Sequence, residues 1–272
     1  MRIVICVEED LVGCLVLNRL LEGLRRHALS VFVSRREVEL GNAPLEFREL
    51  LAVQCEIPSK IIFPLIDLAD APPGDLVTFQ GARRRYEIPV TFVESVGLAF
   101  DKSLNAFKPD VLVSARFSFI FRKETLLIPR LAALNVHPGQ LPEYAGKHSP
   151  LHALADGARQ LGCSVIQMDE GIDTGPIVGS GGLKVDQRRT LLWHIIHAYD
   201  PGIDIVCDVV HQLEQGGRLE SSPQDRSRRK YRRYLASQEI RKLVEGFHLF
   251  EWAELREIFG QFLDDKRSGV PE

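Results

Sequence analysis

Cysteine is scarce in this chain, and its spacing offers no pairing pattern. The 272 residues include five cysteines, an odd number at wide intervals with no Cys-x-x-Cys pair. This usage argues against a disulfide framework or a cysteine zinc site and favours a reducing compartment. We therefore predict a cytoplasmic protein that holds no metal.

Long apolar segments are missing as well. The first apolar run covers residues 2–7 and soon meets Glu8, Glu9 and Asp10, so it is too short for a signal segment or a membrane span. The formal net charge is −3, which provides no global field that would attract the chain to nucleic acid or to a membrane surface. Neither partner is expected.

A glycine-rich phosphate loop is the third absence. No Gly-x-Gly-x-x-Gly follows the first apolar run, and the chain has no Walker loop. Glu8, Glu9 and Asp10 occupy the place where such a loop would cradle phosphates, and three carboxylates repel phosphate. The N-terminal half is therefore not expected to bind a dinucleotide.

Short apolar runs alternate with segments of helical periodicity along the first 216 residues. This alternation predicts an α/β fold with a doubly wound, mostly parallel sheet. Helices are predicted over residues 11–24 and 190–213, the second interrupted at Pro201-Gly202, and Pro72-Pro73-Gly74 predicts a surface loop over residues 71–75. The predicted strands cover residues 2–7, 29–33, 60–63, 89–93, 110–114 and 132–136.

The character of the chain changes after Gly216-Gly217, a pair that is typical of a helix end. We predict a catalytic domain over residues 1–216 and a small C-terminal extension over residues 217–272 that packs on it. The extension contains a basic run, residues 226–233, and a helical pattern over residues 235–263. A solvated linker and a substrate contact are both open as roles for the basic run.

Three polar residues stand where a ligand site is expected. Asn135 and His137 flank Val136 at the end of a predicted strand, so both side chains point to the same side. Asp173 lies in a Gly-Ile-Asp-Thr-Gly turn. An amide, an imidazole and a carboxylate suit acyl transfer to an amine, because one preorganised oxyanion donor contributes about 2.7–4 kcal/mol. The carboxylate favours the imidazolium and helps to move the proton of the amine.

Around these residues the sequence resembles the folate-dependent formyltransferase family. The resemblance is carried by Asn135-Val136-His137, Leu141-Pro142, Tyr144, Gly146 and Asp173-Thr174-Gly175-Pro176. It extends upstream through the segment DVLVSARFSFIFRKETLLIP and covers about residues 109–178. Many members have Ser where this chain has Gly139, which is a departure from the pattern.

The resemblance implies a formyltransferase fold, which is Rossmann-like, and 10-formyltetrahydrofolate as the formyl donor. Asn135, His137 and Asp173 become the catalytic trio, with direct attack by an amine and no covalent enzyme intermediate. The implied folate-binding residues are Phe119, Ile120, Phe121, Gln167, Met168, Asp169, Gly171 and Ile172. Candidate contacts to the acceptor are Lys147, His148, Tyr231 and Tyr234.

The expected acceptor is an amine of a small metabolite, in the first place a nucleotide-linked amino sugar. An N-hydroxyornithine-type amine of a siderophore or another secondary metabolite is the first alternative. Hydrolysis of 10-formyltetrahydrofolate and a non-catalytic folate-binding module are two further alternatives. The oligomeric state stays open, with a homodimer among the options.

Overall fold

A central sheet organises the computed structural model, which describes residues 1–35, 41, 44–69 and 74–263. The seven strands of this sheet are β1 (Arg2–Glu8), β2 (Ala28–Ser34), β3 (Val90–Val93), β4 (Val111–Ala115), β5 (Ala132–His137), β7 (Gln160–Gln167) and β8 (Ile177–Lys184). Their order is β3-β2-β1-β4-β5-β7-β8, parallel from β3 to β5 and antiparallel at β7 and β8. The predicted α/β fold with a mostly parallel sheet is confirmed.

Two very short strands form a second, separate pair. They are β6 (Ala145–Gly146) and β9 (Tyr231–Arg232), and they run parallel. The helices are α1 (Leu11–Leu24), α2 (Leu45–Leu51), α3 (Phe63–Leu68), α4 (Phe79–Tyr86), α5 (Leu98–Phe107), α6 (Lys123–Leu126), α7 (Ser149–Ala155), α8 (Leu191–His197), α9 (Asp200–Glu214), α10 (Ser237–Gly246) and α11 (Trp252–Gly260). Within the described ranges, none of these helices has the length and apolar content needed to cross a bilayer.

Both faces of the sheet are covered, as the continuous apolar strands predict. In β1, Ile5 belongs to a core that also contains Leu17 of α1 and Val206 of α9. The neighbouring residue Cys6 belongs to a second core on the other face, with Phe100 of α5. The alternation of side chains along each strand therefore assigns successive apolar residues to different helical layers.

The predicted strand at residues 60–63 is wrong. Two π-helical turns, Ala52–Glu56 and Pro58–Ile62, run directly into α3. Pro58 and Pro64, which flank the predicted strand, lack the N–H that a strand ladder requires, and each stands at the start of one of these helical segments. Phe63 is buried against Phe79 and Phe262, whereas Ile61 is exposed, so burial follows a helical face. Residues 71–73 of the predicted loop lie outside the described residues.

The predicted interrupted helix at residues 190–213 is two helices, α8 and α9. The break falls at Ala198–Tyr199, just before the predicted Pro201-Gly202. Pro201 instead occupies the first turn of α9, where its missing N–H has no partner to lose. The two antiparallel strands β7 and β8 have no counterpart among the predicted elements.

The C-terminal extension packs on the larger part of the chain. Ile240 and Leu243 of α10, Leu255 of α11 and Phe262 belong to the same hydrophobic core as β1 and α1. Backbone hydrogen bonds join Ser222 to Ile177 in β8. The division near residue 216 stays a prediction, since the last helices share their core with the rest.

The strand order predicts a ligand-binding cleft at the carboxyl ends of the central parallel strands. β1 leads to β2 on one side, and the chain later returns to place β4 on the other side of β1. Ligands of open α/β sheets bind at the carboxyl ends of strands near such a reversal of strand order. His137 ends β5 at this same edge, one strand beyond β4.

Candidate active site

His137 has a defined orientation at the end of β5. Its Nε2 lies 2.7 Å from the carbonyl oxygen of Tyr144, and a carbonyl oxygen only accepts, so Nε2 carries a proton and donates. The hydroxyl of Ser149 lies 3.1 Å from the same nitrogen and donates in turn to the carbonyl oxygen of Gly146. These contacts occupy Nε2, which leaves Nδ1 available to other groups.

Asp173 faces that free nitrogen. Its Oδ1 is 3.5 Å from Nδ1 of His137, and both side chains are almost fully buried. Its Oδ2 accepts a hydrogen bond of 2.8 Å from the backbone N–H of Gly146. The residue has a φ of 53°, a left-handed conformation that is uncommon outside glycine. The fold therefore brings together His137 and Asp173, which lie 36 positions apart in the chain.

The turn that carries Asp173 is fixed by its own side chains. Oδ1 of Asp169 accepts from the N–H of Gly171 over 3.1 Å and from the hydroxyl of Thr174 over 2.6 Å. Gly175 lies so close to the carbonyl oxygen of Gln167 that an added Cβ would overlap it. The glycines around Asp173 therefore allow the tight bend that the sequence predicts.

Asn135 lies on the same face of β5 as His137 and is partly exposed. Among the residues that the structure describes, no group forms a hydrogen bond with its side-chain amide. The amide N–H groups are therefore free to donate to a ligand. A free neutral donor beside an imidazole–carboxylate pair is an arrangement that stabilises an oxyanion and moves a proton.

The predicted folate-binding residues fall into three groups. Phe121 is buried, stacks on Phe117 at 5.2 Å between ring centroids, and shares its cluster with Met168. Ile120 and Ile172 are exposed. The remaining residues shape the backbone or flank these groups, namely Phe119, Gln167, Asp169 and Gly171.

The two predicted folate-binding segments are adjacent. Met168 joins the aromatic cluster around Phe121, and Lys123 forms an ion pair of 3.0 Å with Glu170. An apolar wall beside a short polar turn is the surface that an aromatic ring with amide edges requires. Binding of folate here stays a prediction.

Three of the four predicted acceptor contacts meet at one point. Nζ of Lys147 lies 3.4 Å from the hydroxyl of Tyr234 and 5.0 Å from its ring centroid. The ring of His148 lies 6.2 Å from the ring of Tyr234, and all three residues are exposed. Tyr231 is not part of this group, because its ring packs on Arg229 and its backbone pairs with Ala145.

The basic run contacts the loops of the candidate site, which its composition alone does not predict. Arg228 forms an ion pair with Glu143, and Arg232 binds Asp156 over 2.7 Å. Arg229 donates over 2.8 Å to the carbonyl oxygen of Ile172, next to Asp173. The alternative of a wholly solvated linker is therefore wrong for these three arginines. No local pattern in the sequence indicates these contacts, because the three partners lie far away along the chain.

A buried ion pair near the ends of β1 and β4 is also not predictable from the sequence pattern. Nε of Arg116 donates over 2.7 Å to Oδ2 of Asp10, whose Oδ1 caps α1 by accepting from Gly13 over 2.6 Å. Burial opposes the charge of Arg116, but Asp10 and Glu8 outweigh it and raise the pKa of the guanidinium. The N-terminus of α1 is thus occupied by a carboxylate of the chain itself, as the absence of a phosphate loop suggests.

A cavity of about 390 Å³ contains none of the predicted site residues. It is lined by α1, the start of α8 and α11, including Trp193 and Glu254. No group of three histidine, cysteine or acidic residues in the described part of the chain is placed to hold a metal ion.

Comparison with known proteins agrees with this geometry. Residues 78–192 match the family model of formyl transferase. Over 162 residues the chain is 30% identical to methionyl-tRNA formyltransferase of Nitrosomonas europaea. This alignment covers 57% of this chain and 50% of that relative. The chain spans half or less of the length of the first curated relatives that it matches.

Solved structures extend the likeness to most of the fold. An N-formyltransferase from Helicobacter canadensis has a TM-score of 0.58 at 14% identity and covers 91% of this chain and 81% of its own. Glycinamide ribonucleotide transformylase 1 from Symbiobacterium toebii has a TM-score of 0.55 at 18% identity, with 83% and 94% covered. Identities this low show the fold alone. With the family match at residues 78–192 and the motif that contains Asn135, His137 and Asp173, this chain is similar to the folate-dependent formyltransferases.

Proposed function

We propose that this protein transfers a formyl group from 10-formyltetrahydrofolate to an amine of a small metabolite. The observation that carries the proposal is the pairing of Nδ1 of His137 with Oδ1 of Asp173 at 3.5 Å, beside the free amide of Asn135. No serine or cysteine nucleophile is required for this chemistry, because the acceptor amine is itself the nucleophile.

Each residue has a distinct role in the proposed reaction. The amine attacks the formyl carbon, and the carbonyl electron pair moves to oxygen. There the amide of Asn135 and Nδ1 of protonated His137 donate hydrogen bonds. Asp173 accepts a proton from the attacking nitrogen. The bond between the formyl carbon and folate N10 then breaks, and N10 takes up a proton delivered through His137. The products are a formamide and tetrahydrofolate.

The acceptor is proposed to be a nucleotide-linked amino sugar. The exposed group of Lys147, His148 and Tyr234 supports this class, since an aromatic ring stacks on a base and an ammonium binds phosphate. The Helicobacter canadensis protein was solved in complex with folinic acid and dTDP-3-aminofucose, a nucleotide-linked amino sugar. Asp10 already caps the N-terminus of α1, so the proposed phosphate contact lies at Lys147.

The test is consumption of 10-formyltetrahydrofolate, followed by ultraviolet absorbance with a panel of acceptors. The panel contains nucleotide-linked amino sugars, free amino sugars, N-hydroxyornithine, methionyl-tRNA and water alone. We expect turnover with a nucleotide-linked amino sugar. Turnover with water alone would instead establish a hydrolase. Turnover with methionyl-tRNA would show that this protein has the activity for which the curated relatives are named.

Variants of the trio connect turnover to the site. Asn135→Ala is expected to lower kcat by about 10²–10³, the usual loss for one oxyanion donor. It should leave the thermal midpoint unchanged, because no described group depends on that amide. His137→Gln and Asp173→Asn should lower kcat at least as much. Full activity in all three variants would contradict the proposed site.

A further inference from the structure

A C-terminal segment holds together the two loops of the candidate site. We define the C-terminal strap as residues 222–232. It is anchored on β8 by reciprocal backbone hydrogen bonds of 2.8 Å between Ser222 and Ile177. At its other end, β9 pairs with β6, and the carbonyl oxygen of Arg232 accepts from the N–H of Lys147 over 3.0 Å. The strap therefore crosses from the loop of Asp173 to the loop of Gly146.

Gln224, the third residue of the strap, contacts the backbone at Asp173 directly. Its Nε2 donates to the carbonyl oxygen of Asp173 over 3.1 Å and to that of Gly175 over 2.7 Å. Two carbonyl oxygens face the same amide atom, which assigns nitrogen to that position, because an amide oxygen would repel both. The amide thus bridges both sides of the turn that carries the carboxylate.

The amide oxygen of Gln224 lacks a hydrogen bond in this orientation. Its Oε1 is buried and has no hydrogen-bond partner within the described ranges. A buried acceptor without a partner is destabilising, so an apolar side chain would serve better if packing were the only role. The orientation of this amide is therefore explained by the two carbonyl groups of the Asp173 turn.

The turn itself needs external support. Asp173 has a φ of 53°, which a residue with a Cβ adopts only when its surroundings impose it. The strap supplies donors to three carbonyl groups of this short stretch, because Arg229 donates to Ile172 and Gln224 donates to Asp173 and Gly175. These three hydrogen bonds hold the backbone of the turn, while the N–H of Gly146 donates to the carboxylate of Asp173.

We infer that Gln224 is a positioning residue, which holds the backbone of Asp173 so that Oδ1 faces Nδ1 of His137. The inference rests on the proposed function, since Gln224 acts through Asp173 and touches no reacting atom itself. A displacement of a reacting group by about 1 Å costs up to about 10²-fold in rate. Loss of Gln224 should therefore slow turnover without weakening the binding of either substrate.

The experiment compares Gln224→Leu with Gln212→Leu in the full chain. Leu is close to Gln in size and removes the donors. Gln212 is the matched control, because its Nε2 also donates to a backbone carbonyl, that of Arg218, over 3.1 Å and away from the site. We expect kcat to fall by about 10- to 100-fold in Gln224→Leu, with both KM values within about twofold of wild type. Gln212→Leu should retain the wild-type values.

Binding and folding are measured separately from turnover. The Kd for 5-formyltetrahydrofolate, a non-transferable analogue, should be unchanged in Gln224→Leu, and so should the far-ultraviolet circular dichroism. If the Leu variant does not fold, Gln224→Glu provides the same test with a side chain of almost identical shape. Its carboxylate would repel the carbonyls of Asp173 and Gly175, so kcat near neutral pH should be low.

The Glu variant also gives a pH signature. When the introduced carboxyl becomes protonated, it regains one O–H donor for the turn. The kcat of Gln224→Glu relative to wild type should therefore rise as the pH falls. A relative kcat that stays constant with pH would contradict a role for donation at this position.

Two kinds of failure are distinguishable. If Asp173→Asn is inactive but Gln224→Leu has the kcat of wild type, the positioning role is overturned and the proposed function stands. An equal loss of kcat in Gln224→Leu and Gln212→Leu would also overturn it, as would a rise in KM at unchanged kcat. If the wild-type protein consumes 10-formyltetrahydrofolate with no acceptor of the panel, the proposed function fails. If Asp173→Asn retains full activity, the catalytic role of Asp173 fails, and the positioning role of Gln224 fails with it.

Discussion

The backbone N–H of Gly146 binds Oδ2 of Asp173 over 2.8 Å, and Gly146 itself is seated against the strand that contains Arg232. An added Cβ at Gly146 would overlap the carbonyl oxygen of Arg232, and the φ of 100° suits glycine alone. One glycine thus joins the C-terminal strap to the carboxylate of the candidate trio.

Gly146→Ala should therefore damage both stability and activity. We expect a loss of about 2 kcal/mol or more in the free energy of unfolding and a fall in kcat greater than tenfold. Gly157→Ala is the matched control, because Gly157 also has a positive φ, 79°, but has open space around the added atom. Urea denaturation and steady-state kinetics measure both variants. Equal stability losses would show that only backbone strain matters.

Tyr234→Ala tests the proposed acceptor contact. If the ring stacks on the base of a nucleotide-linked acceptor, its loss should raise the KM for that acceptor by about 5- to 100-fold, the range for one stacked base. The KM for 10-formyltetrahydrofolate should not change. Tyr231→Ala is the comparison, since that ring packs on Arg229 instead. An acceptor KM that rises equally in both variants would argue against stacking on Tyr234.

Arg116→Met should destabilise the fold strongly. It leaves the carboxylate of Asp10, which is 1% exposed, without its cation, and removal of one partner of a buried pair costs about 3–5 kcal/mol. Asp10→Asn added to this variant should recover part of the loss, because Asn still caps α1 through Gly13. Chemical denaturation of the single and double variants measures the recovery.

The exposed pair of Arg35 and Glu9 provides a control for Arg116→Met. Arg35 is about half exposed at its side chain, so Arg35→Met should cost about 1 kcal/mol or less. If Arg116→Met costs no more than Arg35→Met, the pair with Asp10 does not contribute as a buried pair.

Glu254 should make stability depend on pH. Burial raises the pKa of its carboxyl above the ordinary 4.5, although the Thr190 hydroxyl donates to it over 2.8 Å. A raised folded pKa means that the folded protein binds this proton more tightly than the unfolded chain, so stability is lost as the pH rises through the window above 4.5. Glu254→Gln should therefore be more stable than wild type at neutral pH, by on the order of 1 kcal/mol or less.

The advantage of Glu254→Gln should shrink as the pH falls toward about 4, where the wild-type carboxyl is protonated. Urea denaturation at several pH values measures it. Glu257→Gln is the control, because Glu257 lies in the same helix and is exposed. A difference between Glu254→Gln and wild type that does not change with pH would show that burial of the carboxyl is not its cause.

Parallel strands were the most predictable part of this fold. β1, β4 and β5 are buried on both faces, so they are continuous apolar runs with a strong signal. β8 carries no such run, because Gly179 and Gly181 pack closely against Ile205 and Pro201 of α9. The wrong strand at residues 60–63 has the opposite origin, since its apolar run lies in a helix that buries Phe63 and exposes Ile61.

The chemical groups of the candidate site can be predicted from local sequence, because the ends of strands and the Asp-Thr-Gly turn are encoded locally. The sequence assigns an amide and an imidazole to one face of β5 through simple alternation. Which atoms come into contact depends on the packing of the folded chain. Asp173 contacts Gly146 across 27 positions and Gln224 across 51 positions, and Lys147 meets Tyr234 across 87. No periodicity links residues so far apart, since their contacts depend on how the strap and the loops pack after the sheet has formed.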